Sequence, residues 1–427
     1  MEKLDVIIVG GGLSGLSCAY GLKEEGLNVL VLERGEFSGS KNVTGGRLYL
    51  KPLIPYVGDM FEGLPLERKV VRERWTLLGK GNSLTFDFTS DKLRNEDHSY
   101  TVLRAKLDRF LSEKVIEKGI FVIPKYRVDG IIRKNGKVEG VSVGEEMLYS
   151  KVVVLAEGAL SILTRRLGVR GELSPDAYAI GVKEIIELPQ EKINERFNVE
   201  KDEGVAHLFI GDVTHGIFGG GFLYTNKDTL SIGVVVKIGS IMSSYPKVKT
   251  YELMERFKET YEIRTLIEGG NVVEYSAHII PEQGFRGVGK LYGDGFLVTG
   301  DAAGFSLNMG ITVRGMDFAI VSGILAAETI KEAFAKGDFS ERALSRYEER
   351  LRESFVLKDL ESFREMPNLL EREEIFNYYP IRIPDFIEKL LYFGTGPKEK
   401  LWKEFKEFGK ELLNFKTIKT MLKLRKV

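Results

Sequence analysis

The stretch Val6–Ala19, VIIVGGGLSGLSCA, runs four apolar residues into a glycine triplet and then into helical spacing. Gly10, Gly12 and Gly15 fit G-x-G-x-x-G directly after a strand over 6–9. They open a helix over 14–23, on which Leu16, Ala19, Tyr20 and Leu22 recur at helical spacing. Gly26 ends that helix, residues 28–32 form the next strand, and Glu33 closes it. Residues 6–33 therefore read as a βαβ unit of a parallel sheet. The first glycine permits a tight turn, the second lets a pyrophosphate touch the backbone, and the third allows helix and strand to pack closely. Free N–H groups at the positive helix end hold phosphates without a charged side chain. Glu33 lies 23 residues beyond Gly10, where an acid accepts hydrogen bonds from a ribose. The expected ligand is a dinucleotide carrying ADP.

Working outward, the 427 residues suffice for two or three domains. A 43% hydrophobic and 29% charged composition is that of an ordinary globular protein. Net formal charge is zero, so no global field favours nucleic acid. Gln190 and Gln283 are the two glutamines against abundant Lys and Glu, a bias expected of proteins working hot. Cys18 is the single cysteine, which excludes an intrachain disulfide and a four-thiolate iron–sulfur cluster within this chain. The N-terminus shows no secretion signal, and no run of about 18 apolar residues occurs. A cytoplasmic protein, peripheral on the inner face of the cell membrane, is the expectation.

Past residue 71 the texture changes to longer alternating runs, read as antiparallel strands. Asn226-Lys227-Asp228 stands as a hairpin signal between two of them. A helix is expected over 103–119 and another buried strand over 151–158. Beyond about Glu341 the pattern is helical and charged.

The stretch 296–330, FLVTGDAAGFSLNMGITVRGMDFAIVSGILAAETI, puts Gly300-Asp301 after a strand and expects a long helix to begin near Ile311. It resembles the second fingerprint of flavoproteins of the p-hydroxybenzoate hydroxylase and glutathione reductase type. That resemblance implies FAD. It gives Asp301 to the ribityl hydroxyls and the Gly310, Ile311 and Thr312 backbone to the flavin ring, where a positive helix end favours the reduced flavin. No second glycine fingerprint for NAD(P)H follows, which argues against a pyridine-nucleotide reductase; an aromatic hydroxylase that binds NAD(P)H and activates oxygen stands as a rival reading.

Three further segments, GSKNVTGGRLY (39–49), GIFGGGFLYTNKDTLSIGVVV (216–236) and EGGNVVEYSAHIIPEQGF (268–285), together resemble the FixC family. This is the flavin subunit related to electron-transfer flavoprotein:quinone oxidoreductase, and the likeness runs through most of residues 1–330. It implies electrons from an electron-transfer flavoprotein and reduction of a membrane quinone. It also implies Gly45 and Gly46 along the flavin, Arg104 near the FAD phosphates and ribityl, and the Val128 backbone on the adenine. Arg34 and Gly158 complete the expected cofactor set. Gly219 and Gly220 would lie beside the quinone head group, with Phe218, Phe222 and Tyr224 supplying apolar or edge contacts. Glycines in an aromatic strand do let a flat ring approach closely. Single-chain quinone oxidoreductases carry their cluster in a cysteine-rich domain. Its absence here implies a separate ferredoxin-like iron–sulfur subunit as partner.

Cys18 is expected to pack in the core. His98, His207, His215 and His278 lack metal-ligand spacing. His215, four residues before the glycine run, could hand protons to a quinone or be an ordinary loop histidine. Residues 398–427 hold nine Lys and one Arg against four Glu, with Trp402, Phe405, Phe408, Leu412 and Phe415 at helical spacing. Such a segment can lie on an anionic membrane, dock on a partner, or be a plain terminal helix.

The expected fold is α/β: a Rossmann-type FAD-binding domain (1–70, 100–178 and 287–345) interleaved with an antiparallel-sheet substrate domain of α+β type (71–99 and 179–286). A helical C-terminal region (346–427) follows. The expected activity is electron transfer through FAD to a quinone. The alternative is a geranylgeranyl reductase-like enzyme saturating prenyl chains, and a flavin-binding assembly subunit without turnover is a third reading.

Overall fold

Apolar runs without alternation fill both faces of a parallel sheet. The computed structural model describes residues 4–23, 25–42, 46–172, 174–244 and 247–412. In it Phe296–Val298, Glu146–Leu155, Leu4–Val9, Val29–Leu32 and Phe121–Ile123 lie side by side in that order, all parallel. The glycine loop connects Leu4–Val9 to the helix Leu13–Gly21, as its spacing predicts. The strand expected over 151–158 begins earlier, at Glu146, because its first half pairs with an antiparallel meander, Gly130–Lys134 and Lys137–Val143.

Two distant helices meet beneath the glycine loop. Leu13–Gly21 packs against the long helix Met316–Lys336 at backbone distance. A Cβ on Gly323 would overlap the Ser14 carbonyl oxygen, and one on Gly21 would lie 2.6 Å from the Ala327 Cβ. Leu16, Cys18, Ala19, Phe318, Ile320 and Val321 are buried in one continuous core with the sheet.

The second sheet runs Asn271–Pro281, Tyr178–Glu187, Thr229–Lys237, Gly219–Thr225, Glu203–Gly211, Lys69–Leu78, Ser99–Val102 and Gly46–Tyr49, with Ser83–Thr89 also paired to Lys69–Leu78. The Asn226–Asp228 turn does join two antiparallel strands. One pairing departs from expectation. Lys69–Leu78 and Glu203–Gly211 are parallel: between them the chain leaves for Phe121–Ile123 and Glu146–Leu155 of the first sheet and re-enters in the same direction. The sheet also takes in Gly46–Tyr49 and Ser99–Val102, from stretches assigned by sequence to the cofactor domain. One face is covered by Gln190–Phe197, Thr250–Glu259 and Tyr261–Ile267, burying Leu223, Ile232, Val234, Phe197 and Phe257. The other face looks toward the first sheet's loops.

Residues 346–412 are mainly helical. Met366–Leu370, a π-helical turn Glu374–Tyr378 and Tyr379–Leu391 reach back over the second sheet. A Cβ on Gly211 would lie 2.9 Å from Pro380, and Gly310 is equally close to Leu370.

Candidate active site

The glycine loop behaves as its spacing demands. Gly10 has φ +113°, and a Cβ there would run into the Ala156 carbonyl. A Cβ on Gly15 would overlap the Gly10 carbonyl. Gly12 caps the helix N-terminus and has open space where its side chain would stand. The buried Glu33 carboxylate spans the turn, accepting from the Gly11 N–H at 2.8 Å and the Gly35 N–H at 2.5 Å. Arg34 is exposed beside it, and Gly158, at φ +82°, also has open space above its α-carbon. Val128 is half-buried against the first core. Arg104 opens the helix Arg104–Glu117 and clamps Asp108 with two bonds of 2.8 Å. Gly46 begins a strand of the second sheet, 3.2 Å (as a Cβ) from the Met316 methyl. Gly45 lies outside the described residues.

The second loop departs from expectation in one respect. The long helix begins at Met316, capped by Gly315, and not near Ile311. Residues 307–314 instead form a two-stranded hairpin, Leu307–Asn308 with Val313–Arg314, which turns at Gly310 with φ +79°. Gly310, Ile311 and Thr312 therefore sit at a hairpin tip, with Ile311 exposed. The signal was present: two glycines five residues apart break a helix start. Asp301 follows Gly300, itself at φ +61° and so close to Ser14 that a Cβ would meet the Ser14 hydroxyl at 2.6 Å. Burial pushes the Asp301 carboxyl up, while Arg104 and Arg170 pull it down. Arg170, which carried no motif, donates to the Asp301 and Ala302 carbonyls at 2.9 and 3.1 Å and to the Ser161 hydroxyl at 2.6 Å. Open glycines, a helix N-terminus with no side-chain cap, a ribose-type acid and a half-buried aspartate flanked by two arginines fit FAD.

The second sheet presents a row of side chains toward this cradle. Its register aligns Ser276, Lys183, Gly233, Phe222, Leu208 and Trp75 across six strands. The Trp75 indole N–H donates to the Ile311 carbonyl at 3.4 Å, joining sheet to hairpin. Phe222 stacks on Tyr224 at 5.2 Å and lies over Gly233. Phe218 meets Phe376 edge-on at 5.3 Å. Strand alternation sorts the glycines. Gly220 shares the face of Phe222 and Tyr224, whereas Gly219 and Gly221 face the other way, Gly221 against Phe257. Gly219 therefore meets the aromatic face through its backbone only.

Other polar groups on this face escaped the sequence because distant strands assemble them. The Lys183 side chain is 1% exposed with an ammonium lacking a hydrogen-bond partner. Burial drops it to about 7, Glu274 raising and Arg104 lowering it. Arg47 pairs with the buried Glu73. His278 is pushed down to about 4 by burial and by Arg104 and Arg34. His207 belongs to the opposite face, stacked on Phe209 and bonded to Thr76, and burial lowers it to about 3. His98 is edge-on to Tyr49, and His215 caps an exposed turn. Cys18 is fully buried, as expected.

Residues 5–91 match the family model described as FAD dependent oxidoreductase, and residues 178–280 match that described as ETF-QO, ubiquinone-binding. The chain is 42% identical over 412 residues to the probable electron transfer flavoprotein-quinone oxidoreductase YdiS of Escherichia coli K12, covering 96% of each. Protein FixC of the same strain is 39% identical over 423 residues, covering 99% of this chain and 98% of FixC. This chain belongs to the FixC family. Among solved structures, a geranylgeranyl bacteriochlorophyll reductase-like protein of Thermoplasma acidophilum superposes with TM-score 0.71 at 22% identity, covering 96% of this chain and 99% of the other. The flavin-dependent brominase Bmp2 gives 0.64 at 17%, with the same coverage. Identities this low show a shared fold. Like its FixC-family relatives, the chain is a flavoprotein oxidoreductase, and its cofactor is FAD.

Proposed function

We propose that the protein accepts electrons from an electron-transfer flavoprotein, through a ferredoxin-like iron–sulfur subunit, and passes them in pairs to a membrane quinone. The observation that carries this reading is the aromatic face of Gly220, Phe222 and Tyr224, turned toward the cradle within the segment that matches the ubiquinone-binding model. FAD supplies the two-electron storage. This chain's residues bind and orient it: Glu33 with Arg34 at the ADP ribose, Gly10, Gly12 and Gly15 at the pyrophosphate, and Val128 and Gly158 along the adenosine. Gly46 and Gly45, Arg104, Asp301 and the tip Gly310–Thr312 attend the ribityl and ring.

Phe218, Gly220, Phe222 and Tyr224 form the quinone wall. Gly219 leaves its backbone beside them. One cysteine cannot hold a four-thiolate cluster, which supports placing the cluster on a partner.

The quinone side would rest on a lipid surface. Leu391, Tyr392, Phe393, Leu401 and Trp402 are exposed, Trp402 at 78%, and Lys398, Lys400, Lys403 and Lys406 stand in the same stretch. Among the described residues no helix is long and apolar enough to cross a membrane.

Native-level purification followed by anaerobic reduction tests the reading. A ferredoxin-like subunit is expected to co-purify, and an added naphthoquinone is expected to reoxidise the flavin. A flavin that quinone leaves reduced, or NADPH oxidation with substrate hydroxylation, would replace this reading.

A further inference from the structure

Reduction of a quinone consumes two electrons and two protons, and an iron–sulfur donor delivers electrons only. Both protons must come from water, across a face built of glycine and aromatic residues. Of the exchangeable groups on that face, burial makes the Tyr224 hydroxyl a still weaker acid, and the Lys183 ammonium is 1% exposed with no hydrogen-bonded partner to link it to water.

A second cluster lies at the end of the same sheet. Glu282 follows the edge strand Asn271–Pro281, with its N–H held by the Ala177 carbonyl at 3.0 Å. Its carboxylate accepts from the Asn308 amide at 3.4 Å, and the Asn308 oxygen accepts from the Gly310 N–H at 2.9 Å. Glu282 therefore stands behind the hairpin tip that faces the cradle. Lys237 flanks it from the end of Thr229–Lys237, the next strand but one. The Lys237 N–H donates to the Phe218 carbonyl at 3.0 Å, and its buried ammonium lies 2.5 Å from Glu371. The Glu371 side chain is 40% exposed, so the cluster reaches water on one side and both halves of the site on the other. The groups facing Glu282 are Asn308 on the hairpin, Lys237 on the sheet and Glu371 on the C-terminal helices. Burial pushes the Glu282 carboxyl up to about 7, with Glu371 adding to the rise and Asn308 and Lys237 opposing it. A group half-protonated near neutrality is suited to carrying protons.

We infer that Glu282 is the proton-relay residue of this site, passing protons from water at the Lys237–Glu371 edge to the quinone at the Phe218–Tyr224 face. The inference rests on the quinone reading above. In the balanced step, the quinone takes two electrons from the reduced cofactor and gains two O–H bonds. Glu282 passes on one proton for each of those bonds, its carboxylate regaining a proton from water after each transfer, so that two protons taken from solvent match the two electrons. Glu282 acts as a relay at the edge of the site, behind the hairpin and beside the Lys237 edge, and not as a group in contact with the quinone.

The test uses the full chain loaded with FAD, photoreduced without oxygen and mixed with a water-soluble naphthoquinone across a pH series. Wild-type reoxidation should slow above a break near neutral pH and should be slower in deuterated water. Glu282→Gln should bind FAD normally, reoxidise on the order of a hundredfold more slowly, and lose the break. Added imidazolium should restore its rate in proportion to concentration, while Glu282→Asp should keep the break. A Glu282→Gln protein with wild-type rate and pH profile overturns the inference. So does a slow variant that no small acid rescues, or a wild type with no solvent isotope effect. If the wild type itself is not reoxidised, the quinone reading fails first and takes this inference with it.

Discussion

Gly12 differs from its two partners in the fingerprint. Side chains at Gly10 and Gly15 would strike backbone, whereas one at Gly12 would enter open space at a helix N-terminus. The first two are needed for the fold and the third for the ligand. Asparagine is a good N-cap, so Gly12→Asn should leave stability without FAD within about 0.5 kcal/mol. It should weaken FAD binding by roughly tenfold or more, about 1.4 kcal/mol. Denaturant melts and a flavin titration check both; unchanged affinity would contradict the assignment. Gly12, Glu33 and Asp301 were legible because each sits at a fixed offset from a strand end. The alternation of GGGFLYT also separates Gly219, which turns away, from Gly220, Phe222 and Tyr224. Arg170, Lys183 and Glu282 were not legible. Each reaches the site through partners more than a hundred residues away or across non-sequential strands, and no local pattern encodes that.

At the scale of elements, the site exists because two helices touch. Leu13–Gly21 carries the phosphate end and Met316–Lys336 follows the flavin loop, and Gly21, Gly300 and Gly323 let their backbones meet. Gly323→Val would force the pair apart. Overpacking of this kind costs roughly 1–3 kcal/mol, and here it should also lower FAD content, read by the flavin-to-protein absorbance ratio. A stable variant with full FAD would show that the helix contact does not set the cradle. The parallel strands and the glycine-loop helix followed from unbroken apolar runs and capping glycines. The hairpin at 307–314 turns at Gly310, whose spacing from Gly315 breaks a helix start, and Arg314 fixes it by pairing with Asp317 and Asp359. The parallel pairing of Lys69–Leu78 with Glu203–Gly211 depends on the path of the whole chain, which strand patterns do not record.

Across the whole molecule, the cofactor sheet and the sheet of the aromatic face alternate along the chain, the capping helices follow both, and the exposed apolar and basic stretch follows the caps. The terminal stripe divides in the structure. Phe408 stacks on Phe386 at 3.9 Å and Phe405 meets it edge-on, while Trp402 points outward. Leu412 is half-buried, and Phe415 lies outside the described residues. Sedimentation with anionic vesicles should therefore fall sharply on Trp402→Ala combined with Lys403→Glu, and salt should weaken the wild type; equal binding by the variant would place the lipid contact elsewhere. The central claim is that quinone docks on the Phe218–Tyr224 face beside FAD. A photoreactive azidoquinone, illuminated with the FAD-loaded full chain and mapped by peptide mass, tests it most directly. The account predicts label within 216–225, suppressed by excess naphthoquinone. Competed label confined to another part of the chain would contradict it.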